Sequence, residues 1–358
     1  MSARRIRFCL SIDHGEWSRG DARSAVSRTI EYARLADASG FDSLWLNEDP
    51  DGWDASAVLG ALSRETTSIR LGTGVTNVFH RNPNLIAGSV ATLDRLSDGR
   101  AFLGVGRGQP EVYDRTFGID VSRPLEQLES AIVLLRQWWG EDRVACGPPL
   151  RARWPRTLGP QTMPPVYIAA VGPKALQLAG RVSDGVLFNE LATPEYIHWA
   201  VSRVVDEARR RGRDAESLRF FVNPATVVTD DPEPVIERKK SLVAMVHALP
   251  GMDRLLMTDE WDVPAIMEDV RAAMRTSEVL GRGGLFVDIR KVGDLDRARK
   301  VIPGGLIDAA SAIGPVDKVR AKLSDFASAG ATDLFIDRRG LPSDVRSVTA
   351  LINSLSPG

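Results

Sequence analysis

Short apolar runs alternate with longer stretches of helical period along almost the whole chain, and this alternation limits the fold more than any other feature. A strand that returns parallel to its neighbour needs a crossover of about a dozen residues or more, usually a helix, so strand–helix alternation is the pattern of a parallel sheet. Strands are predicted over residues 5–12, 42–46, 69–77, 100–105, 166–170, 185–188, 218–228 and 332–336. Helical patterns fill the gaps: residues 22–38, stopped by Gly40; 55–64; 83–96, entered through Asn82-Pro83; a helix carrying Leu125, Leu128, Ile132, Leu134 and Leu135; one opening at Gly172-Pro173-Lys174; 194–211; 315–329; and 343–355. Eight right-handed crossovers close into a barrel, with an open doubly wound sheet as the alternative. The expected fold is therefore α/β, a single (β/α)8 TIM-barrel domain over residues 1–358 with insertions near 107–121, 141–164 and 230–310. Residues 141–164 are rich in Pro, Gly and Arg and read as a surface excursion, an active-site flap. Residues 230–310 carry helical patterns at 234–247, 263–279 and 294–301 with no clear strand between them.

With 46 Lys+Arg against 47 Asp+Glu, the chain has no basic footprint for nucleic acid or an anionic membrane, so any phosphate must be bound locally. Two cysteines far apart, Cys9 and Cys146, suit a reducing cytoplasm and fit neither a disulfide framework nor a thiolate zinc site. The four histidines show no metal-ligand spacing with Cys or carboxylates, so no metal is expected. The apolar stretch after the basic first residues is too short and interrupted for a signal peptide or a span.

In a barrel of this kind the reactive end is built by the loops that leave the C-terminal ends of the strands. After strand one come Asp13, His14, Glu16 and Trp17; after strand two, Asn47, Glu48, Asp49 and Trp53; after strand three, Asn77, Phe79, His80 and Arg81; after strand four, Arg107, Gln109 and Glu111; after strand six, Asn189 and Glu190. Loops are polar in any case, which accounts for any single one of these equally well. Gly72 and Gly74 interrupt strand three, the mark of a bulge, of close backbone approach to a ligand, or of a barrel-closing kink. Gly104-Val105-Gly106-Arg107-Gly108 could turn amides toward an anion or a ring edge, but no Rossmann acidic residue comes at the right distance and a dinucleotide site is rejected. Strand five runs into Gly172-Pro173-Lys174, either an ordinary helix start or a phosphate site made of free amides.

Taken in order, Gly40-Phe41-Asp42-Ser43-Leu44-Trp45, Gly74-Val75-Thr76-Asn77 with Arg81-Asn82-Pro83, Ala91 to Arg100 leading into Leu103-Gly104-Val105-Gly106, Gly172 to Gly180 with Ser183-Asp184-Gly185, and Ile313-Gly314-Pro315 resemble the luciferase-like monooxygenase family, and most closely its deazaflavin branch of methylenetetrahydromethanopterin reductase type. The resemblance spans nearly the whole chain. It implies a TIM barrel with a flavin or 5-deazaflavin across the strand ends: coenzyme F-420, with FMN as the alternative. It implies a non-prolyl cis peptide at Gly74-Val75 against the cofactor's middle ring. Ring-edge contacts would fall to Asn77, Arg107, Gly108 and Gln109, and phosphate-side contacts to Val171, Gly172, Pro173 and Lys174.

Where the branch often keeps an Asp-His pair after strand two, this chain has Glu48 and Asp49; Glu48 is the first candidate for proton donor and His14 the second. Trp17, Trp53, His80 and Glu111 are the candidate substrate contacts. The implied activity is hydride transfer between F-420 and a small organic substrate. An FMN-dependent monooxygenase using oxygen is the alternative, and a non-catalytic cofactor-binding barrel the rival of another class. Family members commonly form homodimers.

Overall fold

The computed structural model describes residues 6–17, 20–49, 52–140, 143–146, 152–155 and 159–356. Eight parallel strands form a closed ring: β1 Arg7–Ile12, β2 Ser43–Leu46, β3 Arg70–Thr73, β4 Ala101–Gly106, β5 Val166–Ala169, β6 Gly185–Leu187, β7 Arg219–Val228 and β8 Asp333–Ile336. Each strand pairs with the next, and β8 closes on β1 with Arg7 opposite Asp333 and Leu10 opposite Ile336. This closure rules out the open sheet. Thr76–Asn77 resumes the course of β3 and pairs with β4, Thr76 opposite Val105.

Residues alternate between the outer face and the lumen. Leu44 and Leu46 of β2 join the large cluster between sheet and helices, whereas Trp45 between them points inward. Both faces are covered, so β2 and β4 are buried along their whole length.

The lumen is filled in layers and is not a pore. At the N-terminal end Asp333, fully buried, pairs with Arg7 at 2.9 Å and with Arg219, which also reaches Asp42 at 2.6 Å. The thiol of Cys9, buried and free, and these two carboxylates lie within 4.8 Å of one another, but the guanidinium groups of Arg7 and Arg219 already engage the carboxylates. Above sit Trp45, Phe102, Tyr167, Phe221 and Phe335, with the Trp45 ring 4.4 Å from Phe102 and 4.6 Å from Phe221. Such offset and edge-on contacts are favoured by the ring quadrupoles. The third layer is open and forms the site.

The helices start where capping chemistry says they should: Asp21, Asp54, Asn82, Thr193 and Asp344 each accept a first-turn amide with the side chain. Three regions differ from the sequence expectation. Residues 107–121 hold a helix, Pro110–Phe117, ended by Gly118 in the left-handed region; two turns are too short to reveal a period. The excursion at 141–164 contains an antiparallel hairpin, Arg143–Cys146 with Ala152–Pro155, and its remainder up to residue 158 lies outside the described residues.

The predicted helix at 263–279 is two, Val263–Met274 and Thr276–Gly281, broken at Arg275 in the left-handed region. With Glu233–Leu242, Leu295–Val301 and Gly304–Ala309 they enclose a core of their own around Val243, Met267, Val270 and Leu306.

Asp94, fully buried in the helix Pro83–Leu96, accepts the amides of Gln161 and Thr162, both at 2.7 Å, and the Thr162 hydroxyl at 2.9 Å. Asp94→Ala strands three donors and is expected to lower the unfolding free energy by about 2–3 kcal/mol. A denaturant midpoint unchanged from wild type would show that water replaces the carboxylate at no cost.

Candidate active site

The mouth of the barrel holds a cavity of about 320 Å³ at the C-terminal strand ends. Trp45, Gly74 and Val75 line it from β2 and the gap after β3, Asn189 and Glu190 from the segment after β6, and Asp337, Arg338 and Arg339 from the segment after β8. The Gly74–Val75 peptide is cis, at the position the resemblance implies. Close packing dictates the glycines around it. A Cβ on Gly106 would lie 3.0 Å from the Val75 side chain, and one on Gly104 would lie 2.9 Å from the Trp45 ring and overlap the Thr73 carbonyl.

Asn77 has a divided role. Its Oδ1 accepts the amides of Phe79 at 2.7 Å and His80 at 3.2 Å, which shapes the turn after β3. Its Nδ2 is buried without a partner among the described residues. A buried amide left unpaired costs about 1–3 kcal/mol, so this donor is set for something the chain itself does not supply. Gly108 stands next to it with φ of 55°, and a Cβ there would come within 2.6 Å of Asn77 Nδ2 and 2.7 Å of the Tyr113 ring. Only glycine fits both the conformation and the space. Burial, with Asp49 and Glu48 nearby, pushes the Tyr113 phenol up to about 12, so it is a neutral donor.

On the other side, Gly172 begins the helix Pro173–Val182 with no side-chain cap, leaving first-turn amides free, and Lys174 is exposed beside them. The Val171 carbonyl is fixed by the Tyr196 hydroxyl at 2.8 Å. Arg107 and Gly108 are exposed and Gln109 is half-buried at the start of the helix Pro110–Phe117.

The remaining candidates separate. Glu48 is largely buried: one oxygen accepts from the Thr76 hydroxyl and the other from Arg81 at 2.8 Å, and Arg81 continues to Asp54 at 2.7 Å. Both oxygens thus serve as acceptors that fix the strand next to Asn77, and Glu48 is not among the residues lining the cavity. Asp49 and Trp53 are half-buried, Trp53 against the outer core. The His80 ring lies 5.5 Å from Phe117 and 6.4 Å from Tyr113, part of an aromatic wall. The side chains of His14, Trp17 and Glu111 lie outside the described residues.

Several site groups escaped the sequence reading. Asp337, Arg338 and Arg339 come directly after β8 and were open to the same strand-end rule as the other loops. Asn223 was hidden inside a run taken as regular strand; β7 changes register between Val222 and Thr226, and Ala225 adopts φ of 48°, which delivers the Asn223 side chain to the cavity. Lys239 comes from an insertion helix and meets Glu190, with Asp337 at 3.6 Å; nothing in its sequence neighbourhood marks it. Arg338, buried, binds Asp13 at 2.9 Å and Glu16 at 3.1 Å. Burial alone would raise the Glu16 carboxyl, but its contacts with Arg28 and Arg338 outweigh burial and hold it below its usual range.

No helix among the described residues is long and apolar enough to cross a membrane. Among proteins of known identity, 5,10-methylenetetrahydromethanopterin reductase of Methanolobus tindarius is 28% identical over 311 residues, covering 86% of this chain and 89% of that protein. A coenzyme F-420-dependent glucose-6-phosphate dehydrogenase of Segniliparus rotundus is 29% identical over 273 residues, covering 71% and 78%. The fold matches the solved structure of the F-420-dependent tetrahydromethanopterin reductase of Methanopyrus kandleri with a TM-score of 0.74 at 22% identity, covering 97% of both chains. Residues 5–333 match the family profile itself, and the chain belongs to the luciferase-like monooxygenase family.

Proposed function

We propose that the chain is an oxidoreductase that uses coenzyme F-420 to exchange a hydride with a small, polar organic substrate. The observation that carries this reading is the unpartnered Asn77 amide beside the Gly108 cradle, two positions along the chain from Val75, which lines the polar cavity; Asn77 and Gly108 do not themselves line it. A buried donor of this kind suits a carbonyl edge of a planar ring, and the uncapped start of the helix Pro173–Val182 with Lys174 suits a phosphate. The residues present therefore fit a phosphorylated tricyclic cofactor. F-420, when bound, supplies a carbon centre that carries hydride and does not activate oxygen.

The chain's own residues bind and orient. Gly74 and Val75 form the floor against which the ring would rest, Asn77, Arg107, Gly108 and Gln109 its edge contacts, and Val171, Gly172, Pro173 and Lys174 the phosphate side. Glu48, engaged by Thr76 and Arg81, fixes this floor. The carboxylates that can meet a substrate are those lining the cavity, Asp13, Glu190 and Asp337. We assign the accompanying proton to the Glu190–Lys239 pair: Glu190 lines the cavity, and the buried Lys239 ammonium, which does not line it, supplies the proton through Glu190. The polar lining, with Ser11, Asn47, Asn189 and Asn223, suits a substrate rich in hydroxyl or carbonyl groups.

The test is a titration of the purified chain with F-420 and with FMN, combined with oxygen-electrode measurements. Tighter binding of F-420 and bleaching near 420 nm without oxygen uptake is the expected result. Preference for FMN with oxygen consumption would install the monooxygenase reading, and binding without turnover of any substrate the non-catalytic one. Separately, Lys239→Met is expected to lower kcat by roughly 10²–10⁴, the range for loss of a positioned acid, with F-420 affinity intact. An unchanged kcat moves the proton elsewhere.

A further inference from the structure

Beside the first cavity lies a second, of about 260 Å³, which shares Asp13, Glu190, Asp337 and Arg339 with it and is continued by Arg238 and Lys239. All but one of the charged groups lining the two cavities are paired. Asp13 is taken by Arg338, Glu190 by Lys239, and Asp337 by Arg339 with Lys239 at 3.6 Å. Arg238, exposed, has no carboxylate among the described residues, although the second cavity as a whole is lined by three cations and three acids.

Arg339 is the more telling group. Its backbone amide and Nε both bind Asp337 Oδ1, at 3.0 and 2.8 Å, and its Nη2 binds Oδ2. One edge of the guanidinium fork is thereby fixed by a carboxylate that is itself buried and that Arg339 and Lys239, against the effect of burial, hold down at about 2. The remaining nitrogen, Nη1, has no protein acceptor among the described residues, while the side chain as a whole is half exposed. A guanidinium locked on one edge and open on the other is a preorganised receptor for a planar or tetrahedral anion.

We infer that Arg339 and Arg238 form an anion subsite in the second cavity that takes a carboxylate or phosphate group carried by the substrate, whose reacting part lies in the first. Val227, Val235 and Leu242 line the same cavity and would cover the apolar stem next to that group. This inference rests on the oxidoreductase reading only in naming the ligand as the substrate. The cofactor's phosphate is assigned above to Gly172–Lys174, on the segment after β5, whereas this subsite is built from β7, the helix Glu233–Leu242 after it and the segment after β8.

Two titrations of the full chain test it: inorganic phosphate monitored by ³¹P line broadening, and F-420 monitored by fluorescence. Phosphate is expected to bind the wild type and to lose roughly tenfold in affinity in Arg339→Gln and in Arg238→Ala, as for loss of a charge-assisted contact, with F-420 binding unchanged. Arg238→Ala alters an exposed, unpaired side chain, so its result stands even if Arg339→Gln disturbs the loop. Phosphate binding that is absent, or equal in wild type and both variants, overturns the subsite. A parallel loss of F-420 affinity overturns its assignment to substrate and gives the anion to the cofactor's tail. Failure of the chain to bind F-420 at all, with the phosphate losses intact, would sink the function proposed above and leave the subsite standing.

Discussion

Asp333→Asn is expected to destabilise the chain by about 3–5 kcal/mol, the range found when one partner of a buried ion pair is removed. Asp333 is wholly buried at the N-terminal end of the lumen and holds Arg7 and Arg219, while Asp42 holds Arg219 at 2.6 Å and stands 3.9 Å from Arg7. The neutral amide keeps the shape of the carboxylate but leaves guanidinium charge without its nearest anion. Arg219 cannot relax into solvent, because its guanidinium stacks 4.8 Å from the Phe221 ring in the layer above. The pH dependence has a definite sign. Burial raises the Asp333 carboxyl, but hydrogen bonds and charge from Arg219 and Arg7 overcome it and hold the folded-state value below the usual one. A depressed carboxyl contributes stability that is complete above its unfolded pKa, near 3.9, and is lost as pH falls through the folded value. The wild type should therefore lose part of its stability below about pH 4, and Asp333→Asn should show a flatter acid limb. Urea denaturation at pH 7 and pH 4 measures both. A loss under about 1 kcal/mol at pH 7 would mean that water reaches this layer and the lumen is not dry.

The contrast between this layer and the mouth explains what could be read without coordinates. Strand positions, helix starts and the closed barrel come from local rules: period-two burial, a cap residue such as Asp54 or Asn82, and the need to return parallel. The family motifs add the cis Gly74–Val75 peptide. What stayed hidden depends on groups brought together from far apart in the chain. Glu48, the first candidate for proton donor, is engaged by Arg81 and Thr76, some thirty positions on, and no local pattern shows these contacts. Lys239 carries no local mark, because its meaning comes from Glu190 and Asp337 in the segments after β6 and β8. Asn223 needed the irregular register of β7, which a run of apolar residues conceals. Charge pairing across a barrel mouth is a property of the closed ring, and no window of sequence contains it.

Asn77→Asp is the substitution expected to damage cofactor binding most while sparing the fold. The variant keeps an oxygen where Oδ1 accepts the amides of Phe79 and His80, so the turn after β3 survives and the melting temperature should stay close to that of the wild type. What changes is the other atom. Nδ2, buried and unpartnered, becomes a second carboxylate oxygen facing the place assigned to the cofactor's ring edge. A donor that would gain its hydrogen bond only on binding is exchanged for an acceptor set against an acceptor. Loss of that bond and exposure of the ring carbonyl to an unpaired oxygen together correspond to about 3 kcal/mol, or roughly 100-fold in Kd for F-420. Asn77→Ala is the control: it removes the donor and also the turn contacts, so it should lower both affinity and stability. Fluorescence titration with F-420, read beside thermal melting, separates the two. If Asn77→Asp binds F-420 as tightly as the wild type while folding normally, the ring does not sit at this edge, and the floor at Val75 would have to be occupied in some other orientation.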